Sequence, residues 1–469
     1  MLDHSAMTDA PAGNTILRNE DGSIDAGYLE AIKEAIGAGD VAALQDLAGA
    51  LHEADTGDLI EALEPDERPL FVSLLGEAFD FTALTEVDDT VRSEILEALP
   101  TETVAEGVRE LDSDDAAYIL EDLTKDEQVE ILEHLEPPER VALQKILDYP
   151  ENSAGRRMQT EFIAVPASWT VGHAIDYMRE TVDLPDRFYE LYVLGGDGKL
   201  LGAVALDRLL RAKRPEPLVS LMDPDRRRVR ATEDQEDVAR LFEHYNLVAA
   251  PVIDGDDRLV GVITFDDVVD VIAEEAEEDI MALGGVAGDE ELSDSVWTIV
   301  RSRFPWLLTN LCLALISVWV ISRFEASIAQ MVALAILMPI VASMGGNAGT
   351  QTMTVTVRAL ATRDLSGSRA LRVIRREVLV GLANGLGFAV ILGAIAAIAF
   401  GVSDLGIVIG LAVVCVLTAA ALGGIVIPLM LTRFGVDPAV ASGPFVTTTT
   451  DVIGFFTFLG IATLWFGLG

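Results

Sequence analysis

Between residues 304 and 432 the sequence contains four stretches without one charged side chain: 304–322, 326–357, 378–403 and 405–432. A fifth, after Pro438, is interrupted only by Asp451. Each is long enough for a membrane crossing of about 20 residues. That constrains this part to a bundle of spanning helices, because a backbone in lipid must satisfy its own hydrogen bonds. The rest of the chain has the opposite character. Residues 301–469 carry six acidic and ten basic side chains, whereas residues 1–300 carry 70 and 23, within a formal net charge of −43. One uniform globular domain is excluded. So is a nucleic-acid binder working through a basic face, since the acidic part would repel phosphate.

Orientation follows from the Lys/Arg bias of the links. Arg301 and Arg303 precede the first span, Arg358, Arg363, Arg369, Arg372, Arg375 and Arg376 fill the link between spans two and three, and Arg433 follows span four. The other side has Arg323, offset by Glu325 and Asp404. This predicts a multi-pass plasma-membrane protein with cytoplasmic N-terminal domains and an external C-terminus. The start, MLDHSAMTDAPAGN, has no basic and apolar signal regions and reads as a disordered tail over 1–25. Cys312 and Cys415 lie in apolar stretches, which excludes a disulfide scaffold. The five histidines are scattered, and no P-loop, nucleophile elbow or metal-hydrolase spacing occurs, so an enzyme is not expected.

Asp451 is the leading site candidate. A helix starting at Pro438 reaches it after 13 residues, about 20 Å at 1.5 Å per residue, inside a hydrocarbon core of about 30 Å. A carboxylate at that depth needs water, a cation or a polar partner. The preceding Thr447–Thr450 run supplies hydroxyls for a polar groove. The plainer alternative is a protonated Asp that joins two helices. Span two carries PIVASMGGNAGTQT, in which Pro339, Gly345, Gly346 and Gly349 are poor helix formers, so a broken helix is expected. Either small-residue helix packing or an oxygen-lined path with Asn347 and Gln351, four apart on one face, accounts for it.

In the acidic part, ILEAL (95–99), ILEDL (119–123) and ILEHL (131–135) alternate with acid- and proline-bearing turns such as LEPDER and LEPPER. Short amphipathic helices with acidic caps fit this, stacked as an all-α repeat over 26–150. Further on, LYVLGGDGKLLGAVALDRLL (191–210) aligns at offset 59 with APVIDGDDRLVGVITFDDVV (250–269), each an apolar strand, a Gly/Asp hairpin and a second strand. This pair resembles tandem CBS domains, over 151–273. A carboxylate-dense segment with Glu274, Glu275, Glu277, Glu278 and Asp279 then leads to the membrane part, as a long connecting helix over 274–300.

That order of parts resembles the MgtE family of magnesium channels. Three local stretches carry the likeness: YPENSAGRRMQTEF (149–162), GGNAGTQ (345–351) followed by RALATRDL (358–365), and GVDPAVASGPF…TTTTDVIG (435–454). The implied fold is multidomain: an all-α helical-repeat N domain, an α/β CBS pair, the connecting (plug) helix, and an all-α membrane domain (301–469) with five transmembrane helices. The resemblance implies a homodimer with a pore on its two-fold axis, lined by Gly345, Gly346, Asn347, Gln351, Thr447 and Thr450. Asp451 matches the pore aspartate, while Asp437 and Glu377 match acidic positions near the cytoplasmic mouth. Asp234, Glu236, Asp267, Asp270, Glu275, Glu278 and Asp279 match positions that bind regulatory Mg2+. Magnesium homeostasis is the implied role, with the pore closed when cytoplasmic Mg2+ bridges these acidic surfaces. ATP at the CBS pair is also implied, without assigned residues.

Two positions depart from the family pattern. Asn246 stands where Asp is frequent, and Gly443 where Asn is frequent, which puts one regulatory site and part of the pore entrance in question. The 5 Lys against 28 Arg and the acids everywhere outside the membrane also resemble a halophilic acidic protein. On that reading many carboxylates are solvated surface. Two other functions stay open: a broader divalent path for Mn2+, Co2+ or Ca2+, and a non-conducting CBS-based sensor in the membrane.

Overall fold

The computed structural model describes residues 17–19, 22–182, 184–185, 187–286, 290, 295–361 and 368–468. Two compact units divide it, residues 1–274 and 275–469.

In the first unit, nine α-helices among the described residues run from Ala26–Ala38 to Pro137–Leu147. The turn chemistry sets their starts. The Asp25 carboxylate accepts from the backbone N–H groups of Gly27 and Tyr28, and Thr124 with Glu127 forms a reciprocal capping box. The repeated isoleucines Ile95, Ile119 and Ile131 are all buried in one core. Part of the expected tail is fixed: residues 18 and 24 pair as a bridge, and the Arg18 Nε donates to Asp55 at 2.8 Å. Residues 1–16 and 20–21 of that stretch lie outside the described residues.

The two-fold sequence repeat becomes two three-stranded sheets, β1 (Ala164–Pro166), β2 (Glu190–Leu194) and β3 (Leu200–Ala205), then β4 (Val229–Arg230), β5 (Ala249–Ile253) and β6 (Leu259–Thr264). In each, a parallel pair precedes an antiparallel hairpin. The hairpin turns place Gly198 (φ +79) and Asp257 (φ +63) at equivalent left-handed positions, where glycine is free and aspartate is tolerated. Asn246, at φ 50, ends the helix Gln235–Tyr245 in the same conformation.

The helix after β6 runs Phe265–Gly284. It therefore begins before residue 274 and stops short of 300: Gly285, at φ +74, cannot continue an α-helix, and the next described helix starts at Val296.

Among the described residues the second unit holds five helices long and apolar enough to cross a membrane: Val296–Ser322, Ala333–Leu360, Leu371–Phe400, Ser403–Arg433 and Pro438–Phe466. They are called spans one to five. Span two starts later than its charge-free stretch, because Glu325–Gln330 forms a separate short helix whose Ser327 hydroxyl meets Thr463 Oγ1 at 2.8 Å. The expected break in span two is absent. Its helix runs unbroken through Pro339, Gly345 and Gly346. Close packing explains why poor helix formers persist there. A Cβ on Gly345 would meet Val416 at 2.8 Å, one on Gly349 would meet Val446 at 2.7 Å, and one on Gly424 would meet the Gly349 carbonyl at 2.8 Å. Span four is thereby enclosed by its neighbours, with Val413, Val416 and Leu417 in a core that includes Phe458.

Candidate functional site

Within the membrane unit, Asp451 borders a cavity of ≈ 400 Å³. Span five presents Gly443, Thr447, Thr448 and Asp451 to it, span one presents Trp306 and Asn310, and span two presents Thr350. The spacing 443–447–451 is one face of a helix, so Thr447 and Asp451 are stacked one turn apart. Asp451 is half-buried in an otherwise apolar bundle. Oxygen and amide groups from three helices thus line one cavity with a carboxylate, which is chemistry suited to a hydrated hard cation. The Gly443 position, where a Cβ would have nothing within 4 Å, leaves one side of the cavity without a side chain.

The last turn of the helix Phe265–Gly284 borders the same cavity through Ala282, Leu283 and Gly284, followed by Gly285. Ala282 is 4% exposed and packs with Met353, Val357, Ala439 and Val446. Gly285 packs close against Trp306, where a Cβ would come 2.1 Å from the indole nitrogen.

The other residues proposed from sequence for the membrane part sit differently. Thr450 is 0% exposed, donates to the Thr447 carbonyl at 2.8 Å, and packs on Gly345 and Gly349 rather than into the cavity. Gly345 is a packing contact, Gly346 has open space, and Asn347 and Gln351 lie on the exposed face of span two. Asp437 caps span five, accepting from the Ala439 N–H at 2.7 Å, and Glu377 pairs with Arg376 at 2.9 Å. Sequence reasoning missed Asn310, Trp306 and Thr350. An isolated Asn within an apolar span was the available signal for the first.

The first unit has a second acidic feature, a cleft lined by Glu86, Asp114, Asp115, Asp267, Asp270 and Glu274, with Tyr118 and Arg157. Helices Ser113–Glu121 and Phe265–Gly284 both begin there, which puts their N-terminal aspartates face to face. The Asp267 carboxylate accepts from the Thr264 hydroxyl at 2.8 Å. Asp114, 9% exposed, has its carboxyl pushed well up by burial and by the charge of Asp267. Burial, with Asp112 and Asp266 nearby, pushes Asp115 up to about 7, and burial pushes Asp267 up to about 7 as well. Burial also raises Glu86, Asp270 and Glu274. These carboxylates are held in excess of the cations around them. Even so, among the described residues no group of three or more metal-binding side chains converges tightly enough to hold an ion.

Of the regulatory set proposed from sequence, the cleft brings together Asp267 and Asp270. Asp234 caps the helix Gln235–Tyr245 and Glu236 pairs with Arg240 one turn along it. Glu275, Glu278 and Asp279 lie beyond the cleft on the helix Phe265–Gly284, in the second unit. Asp114 and Asp115, in LDSDDA, were read only as helix-start acids; a doubled acid at a first turn is a cap by default.

Comparisons with known proteins match all three parts. Residues 338–461 match the family described as MgtE, divalent cation transporter; residues 51–152 match the MgtE intracellular N domain; and residues 154–214 and 219–274 match the CBS domain. The magnesium transporter MgtE of Thermus thermophilus is 32% identical over 452 residues, 92% of this chain and 97% of that one. The magnesium transporter MgtE of Enterococcus faecalis is 36% identical over 316 residues, 66% of this chain and 69% of that one. A crystal structure of the cytosolic domain of the Mg2+ channel MgtE in complex with ATP is 30% identical, with a TM-score of 0.49, covering 52% of this chain and 99% of its own.

Proposed function

Because the chain belongs to the MgtE family of divalent cation transporters, we propose that it carries Mg2+ across the membrane past Asp451 and is closed by Mg2+ on its acidic N-terminal side. Its family transports and does not catalyse. The observation that carries this reading is the cavity in which Asp451, Thr447, Thr350 and Asn310 meet. Mg2+ sheds water reluctantly and is commonly held by one or two carboxylates through an octahedral water shell. In a homodimer, two copies of Asp451 would face one hydrated ion, with the threonine and asparagine groups bonding its waters. Mg2+ rather than Ca2+ is the favoured cargo, since a single carboxylate from each subunit is too few ligands for a dehydrated larger ion.

Closure would use the helix Phe265–Gly284. Its last turn borders the cavity of Asp451, and its first two turns supply Asp267 and Asp270 to the acidic cleft. Divalent ions that neutralise cleft carboxylates would hold that helix in the closed position, with Asp234, Glu236, Glu275, Glu278 and Asp279 as further ligands, and Asp437 and Glu377 at the pore mouth. A ligand shifts such an equilibrium only through its preference for one state, so several weak sites acting together give a steep switch. The N-terminal domains would lie in the cytoplasm, and ATP on the CBS pair would adjust the same equilibrium.

The test is growth of cells that lack their own Mg2+ uptake and need Mg2+-supplemented medium. Expression of this chain should remove that need, and Asp451→Ala, present in the membrane at equal amount, should not. Equal rescue by both would exclude a path through Asp451.

A further inference from the structure

Among the described residues lining the acidic cleft, Arg157 is the only cation. Its guanidinium touches three other segments of the first unit. One Nη donates to Glu274 at 2.6 Å, on the helix Phe265–Gly284. The Nε donates to the Gln235 amide oxygen at 3.0 Å, at the start of the helix Gln235–Tyr245. The planar group lies over the ring of Tyr118, 5.2 Å from its centroid, on the helix Ser113–Glu121. Arg157 itself belongs to the segment joining the helical domain to the first sheet. The ring of Tyr118 is also held by Arg92, 4.4 Å from the centroid, which is fully buried and paired with Asp122 at 2.5 Å. Tyr118 is therefore a fixed platform rather than a mobile ring. An arginine in this position does what an added cation would do: it sits among carboxylates contributed by different segments and is pulled toward all of them. Unlike an ion, it cannot leave.

We propose that Arg157 is a tethered counter-cation of the acidic cleft, which keeps the helical domain docked on the second sheet domain when no divalent ion is bound. It is a positioning residue, and its consequence for transport rests on the proposed closure by Mg2+. Part of the cleft charge is neutralised permanently, so the amount of Mg2+ needed for closure is set by Arg157 as well as by the carboxylates. Neighbouring contacts serve the same joint: Arg156 donates to Glu121 at 3.0 Å and to the Leu147 carbonyl at 2.6 Å, and Glu161 accepts from the Ser113 hydroxyl at 2.8 Å. Neither of those groups lines the cleft, whereas Arg157 does and faces its carboxylate excess.

The experiment is hydrogen–deuterium exchange on the full-length protein in detergent, at constant KCl, reading peptides that cover residues 149–162 in EDTA and in Mg2+. In EDTA, Arg157→Gln should exchange about tenfold faster than wild type there, the loss expected of one hydrogen bond to a charged group. Mg2+ should return Arg157→Gln to the wild-type rate, and Arg157→Lys should fall between the two. Equal rates for wild type and Arg157→Gln in EDTA would overturn the proposal. So would protection that Mg2+ does not restore, because the residue would then be needed for folding rather than for its charge. No transport is measured, so a failure here leaves the path through Asp451 standing.

Discussion

Asp437 and Asp451 lie on the same helix, and their surroundings divide their roles. Asp437 meets the free N–H groups of a helix start and is used as a cap, whereas Asp451 stands about four turns on, beside hydroxyl and amide groups that cannot neutralise it. The cleft aspartates of the first unit are a third case, in which carboxylates crowd one another. There the sign of the pH effect follows directly. Asp115 and Asp267 titrate near 7 in the folded unit and near 3.9 in an unfolded chain, so the folded state holds more protons between those values. Stability is then greatest at the acid end of that window and falls as pH rises through it. In EDTA, the thermal midpoint of the first unit should be higher at about pH 5.5 than at about pH 8, and Mg2+ should reduce the difference. Asp115→Asn should flatten the EDTA slope; an unchanged slope would show that other groups govern it. Arg92 gives a separate expectation. It is fully buried against Asp122 and the Leu84 and Val87 carbonyls, so Arg92→Leu leaves a half-buried carboxylate and two carbonyls unpaired and should cost up to about 3 kcal/mol, read as a lower denaturation midpoint.

At the scale of elements, what the sequence disclosed depended on whether local chemistry or packing decided the outcome. The 59-residue offset between LYVLGGDGKLLG and APVIDGDDRLVG reappears as equal spacing of β2 with β5 and of β3 with β6, because a hairpin is fixed by its own turn residues. The short acidic helices were legible for the same reason. Span two was not. Pro339 and three glycines suggested a break, but two of them, Gly345 and Gly349, are where spans four and five approach, a fact held by Val416, Val446 and Gly424 far along the chain. The cavity was half legible: Asp451 and Thr447 share one helix face, while Asn310 and Thr350 come from other spans and no spacing rule links them. The acidic cleft was legible only on the side of Asp267 and Asp270, since Asp114 lies 153 positions before Asp267 in a phrase that also makes an ordinary cap. The packing account predicts opposite outcomes for two glycines three positions apart. Gly349→Leu should lower the thermal midpoint of the detergent-purified protein, overpacking costing about 1–3 kcal/mol or more. Gly346→Ala, with open space around its Cβ, should be neutral or stabilising by up to about 1 kcal/mol. A destabilising Gly346→Ala would place another surface against that face.

For the whole molecule, the segregation of charge describes two tasks carried by one chain. The acidic unit carries a carboxylate-lined cleft, and the apolar unit is a helical bundle with one deep carboxylate. The helix Phe265–Gly284 belongs to both, beginning at the cleft and ending at the cavity of Asp451. Cation binding at one end and ion passage at the other are therefore proposed as a single coupled equilibrium, in which each must influence the other. The direct test is Mg2+ flux into proteoliposomes that hold the purified protein, with wild type beside Asp451→Ala, at low and high Mg2+ on the face bearing the N-terminal domains. Flux should require Asp451 and should fall steeply as Mg2+ on that face rises. Undiminished flux through Asp451→Ala, or no flux under any condition from folded wild type, would contradict the account.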